Sequence, residues 1–202
     1  MAATDKPASL AGVVLAGGSS PWEGRVKSLT VVPGSHPATT MVEHVVGIVG
    51  QRCQPVVVVT SPGQSLPALP AQVVRDDVRG HGLLSALGRG LHAAEQAGAT
   101  YAFVCSVDAA LLSADVIDVL MARAAEVDAD IVLPWDGSNH YLAAVYRTGV
   151  ASQIDDLVAA GERNLPALID RVDSQRVVIS ESRPSADAKP ASAKRSLLGA
   201  AR

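Results

Sequence analysis

The sequence predicts an α/β fold, a three-layer α/β/α sandwich built on a mostly parallel sheet. Three observations carry this expectation. Short β-branched runs alternate with stretches of helical periodicity, the connections between them are short, and hydrophobic residues reach 48% while aromatics supply only 3%. A core filled by Val, Leu, Ile and Ala is what strands buried on both faces by helices require. With 202 residues the chain suits one well-buried domain. The expected organisation is a flexible N-terminus over 1–9, a domain over 10–183 and a basic, disordered tail over 184–202.

The elements follow in order. Strands are expected at "AGVVLAG" (11–17), "PVVVVT" (55–60), "AQVVRD" (71–76), "YAFVCSVD" (101–108), "ADIVLPW" (129–135) and "YLAAVYR" (141–147). Thr40 to Glu43 spells a capping box and opens a helix whose Met41, Val45 and Ile48 or Val49 share a face. A second helix spans about 84–97, with Leu84, Leu87, Leu91 and Ala94 at helical spacing and Gly98 as its stop. Ser113 is a good N-cap for a third, carrying Val116, Val119, Leu120 and Ala124. A helix around 150–160 ends at Gly161, and a short one follows Asn164.

Charge and cysteine usage narrow the function classes. The net charge of −3 argues against a general nucleic-acid binder. Residues 183–202 carry a net +4, with Arg183, Lys189, Lys194, Arg195 and Arg202 against Asp187, which reads as a solvated tail. Cys53 and Cys105 have no metal-ligand spacing and read as two buried, reduced thiols. No apolar signal core opens the chain and no run approaches about 18 apolar residues, so a cytoplasmic protein without membrane association is expected.

In open parallel sheets, ligands sit beyond the carboxyl ends of the strands, and several chemistry-bearing residues fall there. Gly17 and Gly18 follow the first strand and can bring backbone N–H groups close to a base or phosphate. Lys27, with Arg25 beside it, can neutralise a triphosphate. Asp108 follows the strand from Tyr101, where a carboxylate can hold Mg²⁺ that bridges phosphates. Asp76, closing a middle strand, can face a ribose hydroxyl or the metal. Each has a plainer reading: Gly-Gly pairs make turns, a lone Lys is solvated, and an acid at a strand end caps a turn. GxGxxG, GxxxxGK[ST] and GxSxG are absent, and His44, His81, His92 and His140 are too scattered for a metal site or triad.

Together, "GVVLAGGSS" with Gly24 and Lys27, "RDDVRGHGLLSALGRGL", "FVCSVDAALL" and "VLPWDGSNHYLAAVYR" resemble, in that order, the molybdenum cofactor guanylyltransferase family of Rossmann-like nucleotidyltransferases. The resemblance covers about residues 10–183. It implies transfer of GMP from GTP to molybdopterin-bound molybdenum cofactor, release of pyrophosphate, and onward contact with molybdoenzyme maturation proteins. By motif, Leu15, Ala16 and Gly17 would meet guanine through backbone groups, Lys27 the nucleotide, and Asp76 the ribose. Asp108 would bind Mg²⁺ and the phosphates.

The chain departs from the family pattern in its phosphate half. The usual LAGGxSxRMGxDK becomes "LAGGSSPWEGRVK", so Trp22 and Glu23 replace Arg-Met and Val26 replaces the Asp before Lys27. The usual Asp-x-Pro becomes Asp108-Ala109-Ala110, Gly-Pro-Leu becomes Gly82-Leu83-Leu84, and the late Asn-x-Asn becomes Asp187-Ala188-Lys189. Two alternatives to guanylyl transfer follow: a non-catalytic homologue that keeps the fold and nucleotide binding, or a nucleotidyltransferase using CTP or another acceptor.

Overall fold

The structure, a computed structural model, describes residues 9–17, 27–75, 82–109 and 112–178. Seven strands form one sheet: β1 (Leu10–Leu15), β2 (Val56–Thr60), β3 (Gln72–Arg75), β4 (Tyr101–Ser106), β5 (Ile131–Trp135), β6 (Ala143–Arg147) and β7 (Ser174–Val178). Their spatial order is β3-β2-β1-β4-β6-β5-β7. All ladders are parallel except the two made by β6, which runs against β4 and β5. The expectation of a mostly parallel sheet holds. The reversal at β6 brings the β5–β6 connection to the edge where the parallel strands end.

Five α-helices are described: α1 (Met41–Val49), α2 (Gly82–Gln96), α3 (Ala114–Val127), α4 (Ala151–Ala159) and α5 (Leu165–Ile169). Two apolar layers sandwich the sheet. Val13, Leu15, Val57 and Val59 face α2, α4 and α5, with Leu84, Leu87, Leu91, Ile154 and Leu168 packed against them. Val14, Val58, Phe103 and Cys105 face α1 and α3 on the other side. Strict alternation between the layers, with both layers buried, is why these strands read as unbroken apolar runs.

The capping box is present. Thr40 N–H donates to Glu43 Oε2 at 2.8 Å, and Glu43 N–H donates to Thr40 Oγ1 at 3.4 Å. The buried face of α1 is Val42, Val45, Val46 and Val49, so Met41 and Ile48 flank it rather than define it. Ser113 caps α3 by accepting from Val116 N–H at 3.2 Å. Here Ile117, Leu120 and Ala124 are buried, and Val119 is exposed, which corrects the expected core position. Leu84, Leu87, Leu91 and Ala94 of α2 are all buried as expected.

Strand β7 has no counterpart in the sequence reading. It lies at the edge of the sheet beside β5, and its residues are half-buried or exposed, so "SQRVV" lacks the apolar run that marked the others. Both cysteines are buried and unpaired. Among the described residues, no helix is long and apolar enough to cross a membrane.

Candidate active site

The carboxyl ends of β1, β2 and β4 are adjacent because β1 lies between the other two. Leu15 pairs in register with Val59 on one side and Ser106 on the other. Whatever follows these three strands therefore meets at one rim. Ala16 N–H donates to the Val59 carbonyl at 2.8 Å, and Val107 N–H donates to the Leu15 carbonyl at 3.4 Å. The loop base is fixed to both neighbours before it leaves the sheet.

Leu15 and Ala16 are buried, and Gly17 is the first exposed residue of the turn. A Cβ on Gly17 would come within 3.0 Å of Ser61 Oγ and 3.4 Å of the Ser61 amide nitrogen. The absence of a side chain lets this segment approach the Ser61 segment closely. The next described residues, Lys27–Leu29, form a 3₁₀ turn.

Lys27 Nζ donates to Asp108 Oδ2 at 2.6 Å, across 81 positions of sequence. Asp108 Oδ1 accepts from Ser106 Oγ at 2.7 Å. Strand β4 ends at Ser106, so Asp108 sits in the following turn rather than on the strand. Burial pushes the Asp108 carboxyl up, but the hydrogen bonds from Lys27 and Ser106 and the Lys27 charge overcome this and hold it below the ordinary aspartate value. Both members of the pair are about half exposed, so solvent and ions reach them.

Gln64, in the connection from β2 to β3, was not singled out from the sequence. Its Nε2 donates to the Ala16 carbonyl at 3.1 Å and to Ser28 Oγ at 2.6 Å. Ser28 is fully buried beside the exposed Lys27. A second polar group joins β7 to the β5–β6 connection. Arg176 Nε donates to Asn139 Oδ1 at 2.8 Å and its guanidinium lies 5.8 Å from the centre of the Trp135 ring. Asn139 Nδ2 donates to Tyr141 Oη at 3.1 Å.

Of the residues selected from the sequence, the structure brings together Leu15, Ala16, Gly17, Lys27 and Asp108. Gly18, Arg25 and Asp76 lie outside the described residues, as do Trp22, Glu23 and Asp187 to Lys189. Gly82 opens α2 with φ at +82°, a conformation that explains a glycine there although the following Pro is replaced by Leu83.

The model of the MobA-like NTP transferase domain matches residues 12–177. The chain belongs to that family. Among its relatives is the "Probable molybdenum cofactor guanylyltransferase" of Mycobacterium marinum, 58% identical over 183 residues, with 91% of this chain and 90% of the relative covered. Among solved structures, the molybdopterin-guanine dinucleotide biosynthesis protein A of Archaeoglobus fulgidus shares the fold at a TM-score of 0.66 and 16% identity, covering 83% of this chain and 82% of that one. A Mycobacterium tuberculosis H37Rv protein solved in complex with manganese superposes at a TM-score of 0.54 and 16% identity, covering 85% and 88%. The mostly parallel α/β fold of this chain is thus shared with these structures.

Proposed function

We propose that this chain transfers GMP from GTP to molybdopterin-bound molybdenum cofactor and releases pyrophosphate. The observation that carries the reading is the Lys27–Asp108 pair, 2.6 Å apart at the rim where the Leu15–Gly17 loop base emerges. A cation and a carboxylate placed together beside an exposed glycine turn suit a bound triphosphate and its counter-ion. Named relatives spanning nine-tenths of the chain support the choice of guanylyl transfer.

The Asp108 donor set fits a hard divalent cation. Among the described residues no group of three His, Cys, Asp or Glu side chains could hold a metal by itself. Magnesium is bound through one or two carboxylates together with substrate phosphates and water, so a single half-exposed Asp108 matches it and a closed protein cage is not required. When bound, the ion supplies neutralisation of phosphate charge. Lys27 adds positive charge on the leaving side, and Arg25 assists from the same loop. Leu15 to Gly17 present backbone groups to the guanine and phosphates, and the family motif assigns Gly18 to the same contacts and Asp76 to the ribose.

In the reaction, a terminal phosphate oxygen of the pterin acceptor attacks the α-phosphorus of GTP in line. One P–O bond forms to the acceptor, the α–β bridging P–O bond breaks, and the electron pair leaves with pyrophosphate. Fixed cationic groups stabilise the charge that develops on the leaving oxygens. The product passes to molybdoenzyme maturation proteins, and the site of action is cytoplasmic.

The test is pyrophosphate release by the full chain with Mg²⁺, the molybdopterin-bound cofactor and GTP, CTP or UTP in turn. Release with GTP alone is expected. No release beside an active relative would favour a homologue that binds nucleotide without transferring it, the reading motivated by Trp22 and Glu23 in the phosphate loop. A preference for CTP would overturn the choice of nucleotide.

A further inference from the structure

Gln64 ties the loop base after β1 to the turn that carries Lys27. Its amide spans two segments that the sequence keeps far apart, 48 positions from Ala16 and 36 from Ser28. The orientation of that amide is chemically determined. The Ala16 carbonyl can only accept, so the side-chain NH₂ and not its oxygen must face it. Ser28 Oγ, fully buried, takes the second N–H at 2.6 Å. One side chain thus fixes the carbonyl at the loop base and the turn that carries Lys27.

We infer that Gln64 is a positioning residue for nucleobase choice, holding the Ala16 carbonyl as a fixed hydrogen-bond acceptor and, through Ser28, the turn bearing Lys27. The inference rests on the proposed reading that the Leu15–Gly17 backbone meets the base. A carbonyl has two lone pairs, and Gln64 occupies one, leaving its direction set and, among the described residues, one acceptor position open. Guanine presents N–H donors at N1 and N2, where adenine offers an acceptor and a C–H. A stationary acceptor rewards the first and leaves the second unpaired, which is how polar sites discriminate strongly between analogues. If the carbonyl is free to turn, it can relax away from the wrong base and the discrimination shrinks.

The Pro-rich connection around Gln64 supports this role. Pro62, Pro67 and Pro70 restrict a segment that has little regular structure, and Gln64 N–H donates to the Ser61 carbonyl at 3.2 Å. Ser61 also lies against Gly17, so the same connection touches the loop base at two places.

The experiment compares equilibrium affinities of wild type, Gln64→Leu and Gln64→Glu for Mg·GTP and Mg·ATP, using the full chain, with thermal melting to confirm folding. Wild type is expected to prefer GTP, and Gln64→Leu to lose about tenfold of that preference, the scale set by one buried hydrogen bond. Gln64→Glu keeps size and fold but turns an acceptor toward an acceptor, so its preference falls at least as far. A general loss of folded protein lowers both affinities together and leaves their ratio intact. A variant that folds and keeps the wild-type ratio overturns the inference while the proposed function stands. A wild type that binds GTP and ATP alike overturns the inference as well. If it binds neither, the proposed function falls and takes the inference with it.

Discussion

Replacing Gly90 by alanine is expected to destabilise the domain, although the same replacement normally stabilises a helix. Gly90 lies inside α2 where that helix crosses β1 and β2, and a Cβ there would stand 2.4 Å from Val13 Cγ1 and 3.2 Å from Val59 Cγ2. Ordinary carbon–carbon contact is about 3.5–4.0 Å, so the nearer contact is short by more than an ångström. Val13 cannot retreat easily. It is fully buried, β-branched, and paired in register with Val57 on one side and Val104 on the other. The helix cannot lift freely either, because Gly88, two residues earlier and on the far side of the helix from Gly90, is already closed by Ile154, whose Cγ2 would lie 2.8 Å from an added Cβ. Overpacking of this kind costs about 1–3 kcal/mol, and the two constraints put it at the upper end. Helix propensity returns about 1 kcal/mol, leaving a net loss of about 2 kcal/mol. For a domain of this size that lowers Tm by about 4–8 °C.

Gly47 provides the comparison. It sits in α1 with nothing within 4 Å of the added Cβ, so Gly47→Ala should raise stability by about 0.5–1 kcal/mol. Thermal melting and urea titration, followed by far-ultraviolet circular dichroism, measure both. Equal effects of the same sign at the two positions would refute the close packing of α2 on the sheet. That packing bears on the proposed function, since α2 starts at the rim of the candidate site.

Other consequences are testable separately. Asp108→Ala should abolish Mg²⁺-dependent GTP binding by titration calorimetry, whereas Lys27→Ala should weaken it about tenfold or more while leaving the metal dependence in place. Because the folded Asp108 carboxyl is held below its unfolded value, the stability it contributes is complete above the unfolded value and disappears as pH falls through the folded one. Asp108→Asn should therefore flatten the acid limb of the stability–pH profile. Thr40→Ala should cost about 1 kcal/mol in urea denaturation through loss of the α1 cap. Burial, followed by the charge of Asp118, pushes the Cys53 thiol up to about 12, and burial also raises Cys105. Neither should react with a disulfide reagent at pH 8 in the native protein, and both should react in denaturant.

What the sequence made legible were features that repeat locally. The α2 core face showed because Leu84, Leu87 and Leu91 recur at helical spacing, and the central strands showed because both of their faces are buried. Where two faces of a helix were both apolar, spacing alone chose wrongly. In α3, Val119 and Ile117 are equally hydrophobic, and only the position of the sheet buries Ile117 and leaves Val119 exposed. Strand β7 escaped notice because an edge strand needs no continuous apolar run.

The site divides in the same way. Lys27 and Asp108 stood out as a cation after a glycine turn and an acid after a strand, but their pairing depends on β4 lying directly beside β1. Gln64 had no local signal. Its amide contacts the Ala16 carbonyl and a buried serine through chain topology alone, and a glutamine in a Pro-rich connection looks like any solvated residue until the fold closes around it.

The proposed guanylyl transfer at this rim can be read directly from its product. Mass spectrometry of the pterin fraction after incubation with GTP, Mg²⁺ and molybdopterin-bound cofactor tests it most directly. The expected product is an acceptor heavier by one guanylyl unit, with pyrophosphate released in equal amount and neither product formed by Asp108→Ala. An unmodified acceptor in the presence of bound GTP, or a product formed equally well by Asp108→Ala, would contradict it.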